Sequence, residues 1–249
     1  YGSRDWTSSD WSTLVSSPGA SRPDVGVVIV AAGAGLRAGP GEPKQFRPIL
    51  GIPMLLRALR PFTSHPDVSQ VVAVLPRAFV EHPPDWLAKV MGERLILARG
   101  GESRTDSVRS GVKALRDDCR FILVHDAARP FPVRATIDAV IARARSGVGA
   151  VAAVPLSDTV KEVKGDARVT RTVPRTGLWR AQTPQGFPRT MLVDAFNRLK
   201  LADPPPTDDG ELCERAGFPV DVVPDSPHNF KVTTPDDFRI ADALARELQ

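Results

Sequence analysis

Cysteine is nearly missing from this chain: Cys119 and Cys213 are the only two in 249 residues, neither sits in a Cys-x-x-Cys pair, and no histidine stands at ligand spacing from either. A disulfide framework and a structural zinc site are thereby excluded as the source of the fold, and a reducing, cytoplasmic setting is the expectation. Aromatics supply only 6% of the residues and do not alternate with basic ones, so a stacking platform for nucleic acid is not expected. Runs of like charge are also absent, and 33 Lys plus Arg against 29 Asp plus Glu leave a net charge of +4, a mild bias toward anionic ligands. Nothing approaches the roughly 20 consecutive apolar residues of a membrane span, so no membrane partner is expected. Residues 1–24, rich in Ser, Thr, Gly and Pro and without periodicity, read as a disordered N-terminal extension; their longest apolar stretch, Leu14-Val15, is too short for a secretory signal.

What is present is an alternation of short β-branched runs with amphipathic segments, with 42% hydrophobic residues to build a core. The pattern predicts strands over Gly26–Ala31, Ser69–Leu75, Arg94–Ala98, Phe121–Val124 and Gly149–Val154, and helices over Pro53–Phe62, Ser103–Leu115 and Val133–Arg145. Pro53 suits a first helical turn, and Ser103 with Asp106 resembles a capping box. Such alternation implies an α/β fold, Rossmann-like, with a mostly parallel sheet covered by helices, and ligands beyond the C-terminal ends of its strands. The alternation fails between Asp158 and Ala181, where Thr159–Val163 and Arg168–Val173 flank Lys164-Gly165-Asp166 as a hairpin. A lone hairpin is marginal in water, so it must pack on its own body or on a second subunit. Pro235–Leu248 reads as a closing helix, which leaves one domain over 25–249 with a β-arm at 157–182.

The loop after the first strand carries the strongest chemical signal. Val27-Val28-Ile29-Val30-Ala31-Ala32 leads into Gly33, Gly35 and Gly39, with Arg37 and Lys44 bracketing the turn, a set suited to cradling a polyphosphate on backbone N–H groups. A P-loop is excluded because Lys44 follows a proline and precedes Gln45. A dinucleotide site is disfavoured because the glycine spacing is wrong and the next apolar run ends at Pro76 without a carboxylate. The competing reading is a Gly/Pro-rich turn with two solvated cations.

Further along, Val124-His125-Asp126-Ala127-Ala128-Arg129-Pro130 sets a carboxylate at a strand end, where it can serve a magnesium ion or a ligand hydroxyl, or else pair with Arg129 to cap the next helix. Gly100-Gly101-Glu102-Ser103 to Ser107 repeats the theme of glycines before a polar helix start, as an anion or base-edge site or an ordinary cap. Leu178 to Gln185 and Asn229 to Thr233 add polar groups without diagnostic spacing, and Lys231, expected in a short strand, is by default a solvated edge lysine.

In order, Ala31-Ala32-Gly33 to Pro43-Lys44-Gln45, His125 to Pro130, Gln182-Thr183-Pro184-Gln185 and Lys231-Val232-Thr233 resemble the 2-C-methyl-D-erythritol 4-phosphate cytidylyltransferases, over nearly everything after Asp24. The resemblance implies a nucleotidyltransferase-type sheet, CTP and a sugar-alcohol phosphate as substrates, Mg2+ as cofactor, and a homodimer clasped through a projecting β-hairpin dimerisation arm. It places Arg37 and Lys44 on the nucleotide phosphates as the catalytic pair, with Ala31, Ala32, Gly33, Gly35, Gly101, Glu102 and Ser107 around the nucleotide. Asp126 falls to the metal and substrate hydroxyls with Arg129 close by, and Thr159, Arg175, Thr183 and Lys231 fall to the sugar phosphate. Two positions depart from the family pattern: Leu36, where many members carry a basic or polar residue, and Glu102, where some have Asp. A ribitol 5-phosphate cytidylyltransferase and a nucleotide-binding regulatory module without turnover remain open at this point. A glycosyltransferase is disfavoured, because Ala127-Ala128 follows Asp126 where an Asp-x-Asp metal pair is needed.

Overall fold

Strand β1 (Val25–Val30) sets the register for its neighbours and is buried from Val25 to Ile29. In the computed structural model, which describes residues 23–33, 43–200 and 202–248, it is followed by a short hairpin, β2 (Pro48–Ile49) and β3 (Ile52–Pro53), and by α1 (Met54–Thr63). Next come β4 (Val68–Leu75), the short helices α2 (Arg77–Glu81) and α3 (Asp85–Ala88), β5 (Leu95–Arg99), α4 (Arg104–Ala114), β6 (Phe121–Asp126), α5 (Arg134–Arg145) and β7 (Gly149–Pro155). The second half holds β8 (Val160–Val163), β9 (Val169–Val173), β10 (Trp179–Pro188), α6 (Arg189–Arg198), α7 (Asp209–Arg215), β11 (Val220–Pro224) and α8 (Pro235–Glu247).

Seven strands form the central sheet in the order β11-β7-β10-β6-β1-β4-β5. All neighbours are parallel except β10, which runs antiparallel between β6 and β7. Alternation along β1 splits the core into two layers. Val27 and Ile29 join Leu55, Leu59 and Phe62 of α1 and Ile137, Val140 and Ile141 of α5. Val28 joins Val108 and Val112 of α4, Leu192 and Phe196 of α6 and Leu212 of α7. Helix α4 seats this closely because residue 111 is glycine: a Cβ there would lie 2.4 Å from Val28 Cγ1.

A third apolar cluster positions the site. Phe238, Ala241 and Leu244 of α8 pack with Ile49, Met54, Ala128, Phe131 and Val232, and the Val232 N–H donates to the Ala128 carbonyl at 2.8 Å. The segments after β6 and before α8 are thus tied together beside the strand ends.

The expected helix-covered, mostly parallel sheet is what the chain forms, with element boundaries moved by one or two residues. Pro53 caps α1 instead of entering its first turn, whereas the Ser103–Asp106 capping box is present. The largest departure is β10, an unexpected central strand. Its buried Gln182, Thr183 and Gln185 break the apolar pattern, but Gln182 Nε2, the Thr183 hydroxyl and the Gln185 amide meet partners inside the protein. The hairpin forms as expected, with Val160 opposite Val173 and Lys161 opposite Thr172. Trp179–Gln182, at the end of the expected arm, already belong to β10. Of the expected extension over residues 1–24, residues 1–22 lie outside the described residues and Asp24 is tied to Arg145 at 2.6 Å; among the described helices none is long and apolar enough to cross a membrane.

Candidate active site

A cleft of about 490 Å³ opens at the C-terminal ends of β1 and β6, lined by Val30 to Gly33, Lys44, Gln45, Gly101 to Arg104, Ser107, Asp126 to Ala128 and Lys231. The other large hollow, about 550 Å³, lies at the opposite end of the sheet; Asp194, the ionisable residue lining it, is already paired with Arg198 at 2.7 Å. The chemistry therefore belongs to the first cleft, where parallel strands direct their carboxyl ends.

One wall of the cleft is made largely of backbone. The Ala31 N–H donates to the Val74 carbonyl at 2.9 Å, and the Ala31 carbonyl accepts from the buried Gln45 Nε2 at 2.8 Å. Opposite, Gly100 and Gly101 admit no side chain, because a Cβ would fall 2.3 Å from Ala32 Cβ or 2.4 Å from Asp106 Cβ, respectively. Ser107 Oγ accepts from the Gly101 N–H at 3.2 Å and donates to the Ser103 carbonyl at 2.9 Å, which fixes the glycine turn on the first turn of α4. The amino end of α4 carries partial positive charge into the cleft and favours an anion there. Lys44 lines the same cleft, its Nζ donating to the Val232 carbonyl at 3.1 Å. Arg37 and Gly35 lie outside the described residues.

The floor is ionic. Asp126, at the end of β6, receives Lys231 Nζ on Oδ2 at 2.6 Å and Arg104 Nε and Nη2 on Oδ1, both at 3.3 Å. Burial by itself would raise the Asp126 carboxyl, but Arg104, Lys231 and Arg129 outweigh it and hold the group well below the ordinary carboxylate range. Lys231 is therefore no solvated edge lysine: the segment around it is irregular, pinned by Val232, and its ammonium is ion-paired on the cleft floor. Arg104 also reaches the buried Asp209 through Nη1 at 2.9 Å.

Thr183 and Arg129 act from beneath. The Asp126 N–H donates to Thr183 Oγ1 at 3.0 Å, and that hydroxyl lies 2.9 Å from His125 Nδ1. Since His125 Nε2 faces the Arg129 carbonyl at 2.9 Å, Nε2 carries the proton and Nδ1 accepts from Thr183. Burial pushes the imidazole down to about 4, so it stays neutral near pH 7. The buried Arg129 guanidinium donates to the carbonyls of Asn229 at 2.8 Å and Ala181 at 3.4 Å, which braces the floor. Thr159 and Arg175 are not brought to this cleft; both lie exposed on the hairpin, Arg175 donating to the Ser157 carbonyl.

Three contributors were not singled out by sequence: Gln45, Arg104 and Asp209. For Arg104 a signal existed, since a cation opening a helix opposes the helix dipole. Magnesium takes few protein carboxylates and completes its shell with substrate phosphates and water. No group of three His, Cys, Asp or Glu side chains gathers among the described residues, but Asp126 faces the cleft and its Oδ1 is held only at 3.3 Å. Both oxygens of Asp126 are already met by cations, so a metal here would take most of its ligands from a triphosphate and water and would meet Asp126 only in place of Arg104.

The family model of 2-C-methyl-D-erythritol 4-phosphate cytidylyltransferase (IspD) matches residues 25–247. The enzyme of that name from Frankia casuarinae is 44% identical over 223 residues, 89% of this chain and 81% of the relative. The one from Syntrophus aciditrophicus is 37% identical over 232 residues, 91% and 97% of the two chains. The crystal structure of the Thermus thermophilus enzyme of the same name superimposes with a TM-score of 0.75 at 33% identity, covering 90% of this chain and 99% of that one. With the sheet, the strand-end cleft and the sequence in agreement over residues 25–247, the chain belongs to the 2-C-methyl-D-erythritol 4-phosphate cytidylyltransferase family.

Proposed function

We propose that this chain transfers CMP from CTP to 2-C-methyl-D-erythritol 4-phosphate, giving 4-diphosphocytidyl-2-C-methyl-D-erythritol and pyrophosphate in the non-mevalonate route to isoprenoid precursors. The observation that carries this reading is the family match across residues 25–247 together with a cleft whose floor sets Asp126 between Lys231 and Arg104. A phosphate oxygen of the sugar phosphate attacks the α-phosphorus of CTP in line, the bond to the bridging oxygen of the β-phosphate breaks, and pyrophosphate leaves. The phosphate monoester is mainly a dianion at neutral pH, so no general base is needed and no proton has to move.

Catalysis is then positioning and charge. Lys44 and Arg37 stabilise the charge that builds on the equatorial oxygens. The backbone of Ala31, Ala32, Gly33, Gly35 and Gly101, with Glu102 and Ser107, holds the nucleotide. Asp126, braced by Thr183 and Arg129, with Lys231 at its side, sits where nucleotide and sugar phosphate meet. Mg2+ held by Asp126 and the substrate phosphates would neutralise part of the triphosphate charge. Thr159 and Arg175 complete the sugar-phosphate side from a second copy, because the hairpin's exposed Val163 and Val169 offer an apolar surface for a homodimer. The enzyme works in the cytoplasm.

The test is pyrophosphate release from CTP and Mg2+ with 2-C-methyl-D-erythritol 4-phosphate, run beside ribitol 5-phosphate and beside ATP, GTP and UTP. Release with CTP and the methylerythritol phosphate alone is expected. A ribitol phosphate preference would overturn the substrate while keeping the chemistry, and CTP binding without release would make the chain a nucleotide-binding module.

A further inference from the structure

The ladder between β1 and β4 runs out one donor early. In a parallel pair a residue that gives its N–H to one carbonyl of the neighbouring strand accepts, at its own carbonyl, from the N–H two positions further along that strand. Ala31 gives its N–H to the Val74 carbonyl at 2.9 Å, in register with the Val30–Val74 pairing, so the donor due at the Ala31 carbonyl is residue 76. That residue is proline and has no N–H to give. Gln45 stands in for it: its Nε2 donates to the Ala31 carbonyl at 2.8 Å and lies 3.5 Å from the Gly33 carbonyl. The mount is stiff. Gln45 is buried, its own carbonyl accepts from the Leu55 N–H of α1 at 2.8 Å, and the adjacent Phe46 packs edge-on against Phe79 and Trp86 with ring centroids 4.5 and 5.9 Å away.

The carbonyl and the N–H of a trans peptide point in opposite directions, so fixing the Ala31 carbonyl on Gln45 turns the Ala32 N–H away from Gln45, to the side where β6 ends. There the sheet has already closed: the Ala127 N–H takes the Val30 carbonyl at 3.1 Å, and the chain then turns, with the Arg129 N–H on the Asp126 carbonyl at 3.0 Å. Among the described residues the Ala32 N–H meets no backbone acceptor, and Ala32, Asp126 and Ala127 all line the cleft. A donor aimed beforehand costs no reorganisation when its acceptor arrives. We infer that Gln45 is a positioning residue: in place of the donor that Pro76 lacks, it fixes the Ala31–Ala32 peptide so that the Ala32 N–H points into the cleft, ready to donate to an oxygen of the nucleotide. The inference rests on the proposed reaction only in taking CTP as the ligand.

The test reads the Ala32 amide itself. Three Ala-Ala steps occur in the chain, at 31–32, 127–128 and 152–153, so alanine carrying a 13C carbonyl and 15N gives three signals in a carbonyl-to-amide correlation spectrum of the full chain. The Ala32 signal is the one that Ala31→Gly removes, and Ala153, buried in β7, serves as the internal reference. Saturating CTP with Mg2+ and no sugar phosphate should move the Ala32 amide proton downfield and leave Ala153 in place. Gln45→Met fills nearly the same space without a donor; it should weaken CTP binding about tenfold by calorimetry and abolish the Ala32 movement even at saturation. A merely structural role predicts weaker binding with the Ala32 movement intact at saturation, and that result overturns the inference. So does CTP affinity within about twofold of the parent in Gln45→Met. Should Gln45→Met fail to fold, Gln45→Leu is read in the same way, and a parent whose Ala32 amide ignores saturating CTP overturns the inference with no variant at all. The two readings fail separately: pyrophosphate release with a silent Ala32 amide removes the inference and keeps the reaction, whereas an Ala32 amide that answers CTP in a chain that releases no pyrophosphate removes the reaction and keeps the inference.

Discussion

The cleft floor and the hairpin contain the same kind of bond in opposite surroundings. Lys231 meets Asp126 at 2.6 Å with the carboxylate side chain 11% exposed, and Arg171 meets Glu162 at 2.8 Å with that carboxylate 47% exposed. In the floor, low polarisability and fixed neighbours make the pair strong and keep it oriented before a ligand arrives. On the hairpin, water and salt screen it to a few tenths of a kcal/mol, roughly the worth of other exposed pairs. Similar residue types thus build a preorganised ionic floor in one place and a screened, solvent-facing pair in the other.

The largest way to break this comparison is to remove a cation from the preorganised side. Lys44→Ala should lower kcat by about 10²-fold or more while the KM for CTP stays within about threefold, because the charge that the proposed mechanism assigns to it develops mainly in the transition state. Steady-state kinetics checks it, and equal losses in kcat and CTP affinity would make Lys44 a binding residue only.

Acid should act on the floor and spare the hairpin. His125 is neutral when folded with its imidazole at about 4, whereas in the unfolded chain it titrates near its ordinary 6.5. Below 6.5 the unfolded state takes up the proton first, so stability is complete above that pH, falls as pH drops, and is spent near 4. The loss is on the order of 3 kcal/mol. His65, also depressed by burial, adds in the same direction. Urea unfolding between pH 7 and pH 4 checks the slope, which should flatten in His125→Asn; a stability curve independent of pH over that window would reject the buried neutral imidazole.

A smaller effect sharpens the other side. Arg175→Ala should raise the KM for the sugar phosphate about tenfold and leave the KM for CTP unchanged, because Arg175 lies beside the hairpin and does not line the cleft. An unchanged sugar-phosphate KM would detach the hairpin from substrate binding.

The same contrast explains what could be read in the sequence. Strands β1, β4 and β6 announce themselves because buried parallel strands need continuous apolar runs, and the capping box at Ser103 follows from local hydrogen bonding. Strand β10 does not, because its Gln182, Thr183 and Gln185 are stabilised by Asn229, His125 and the start of α7, groups distant in sequence. Lys231 reads as a surface lysine until the fold brings it to Asp126, 105 residues away. Asp209 reads as an ordinary acidic start to α7, and only the fold brings it beside Arg104. Chemistry carried by neighbours in the chain was legible; chemistry assembled by topology was not.

The smallest prediction asks whether the hairpin's order is borrowed from a second copy. Val163 and Val169 face each other across β8 and β9 and remain 54% and 53% exposed, so the pair presents apolar surface that the hairpin alone cannot cover. Burying the exposed half of a valine against a partner is worth about 1 kcal/mol, so Val169→Ser should weaken a dimer about fivefold for each copy's valine. Sedimentation velocity across a concentration series measures that shift. The cleft floor shares no residue with this pair, so CTP affinity should stay unchanged in the same variant. A parent chain that sediments as a monomer at all concentrations would leave the hairpin without a partner and return Thr159 and Arg175 to bare surface positions.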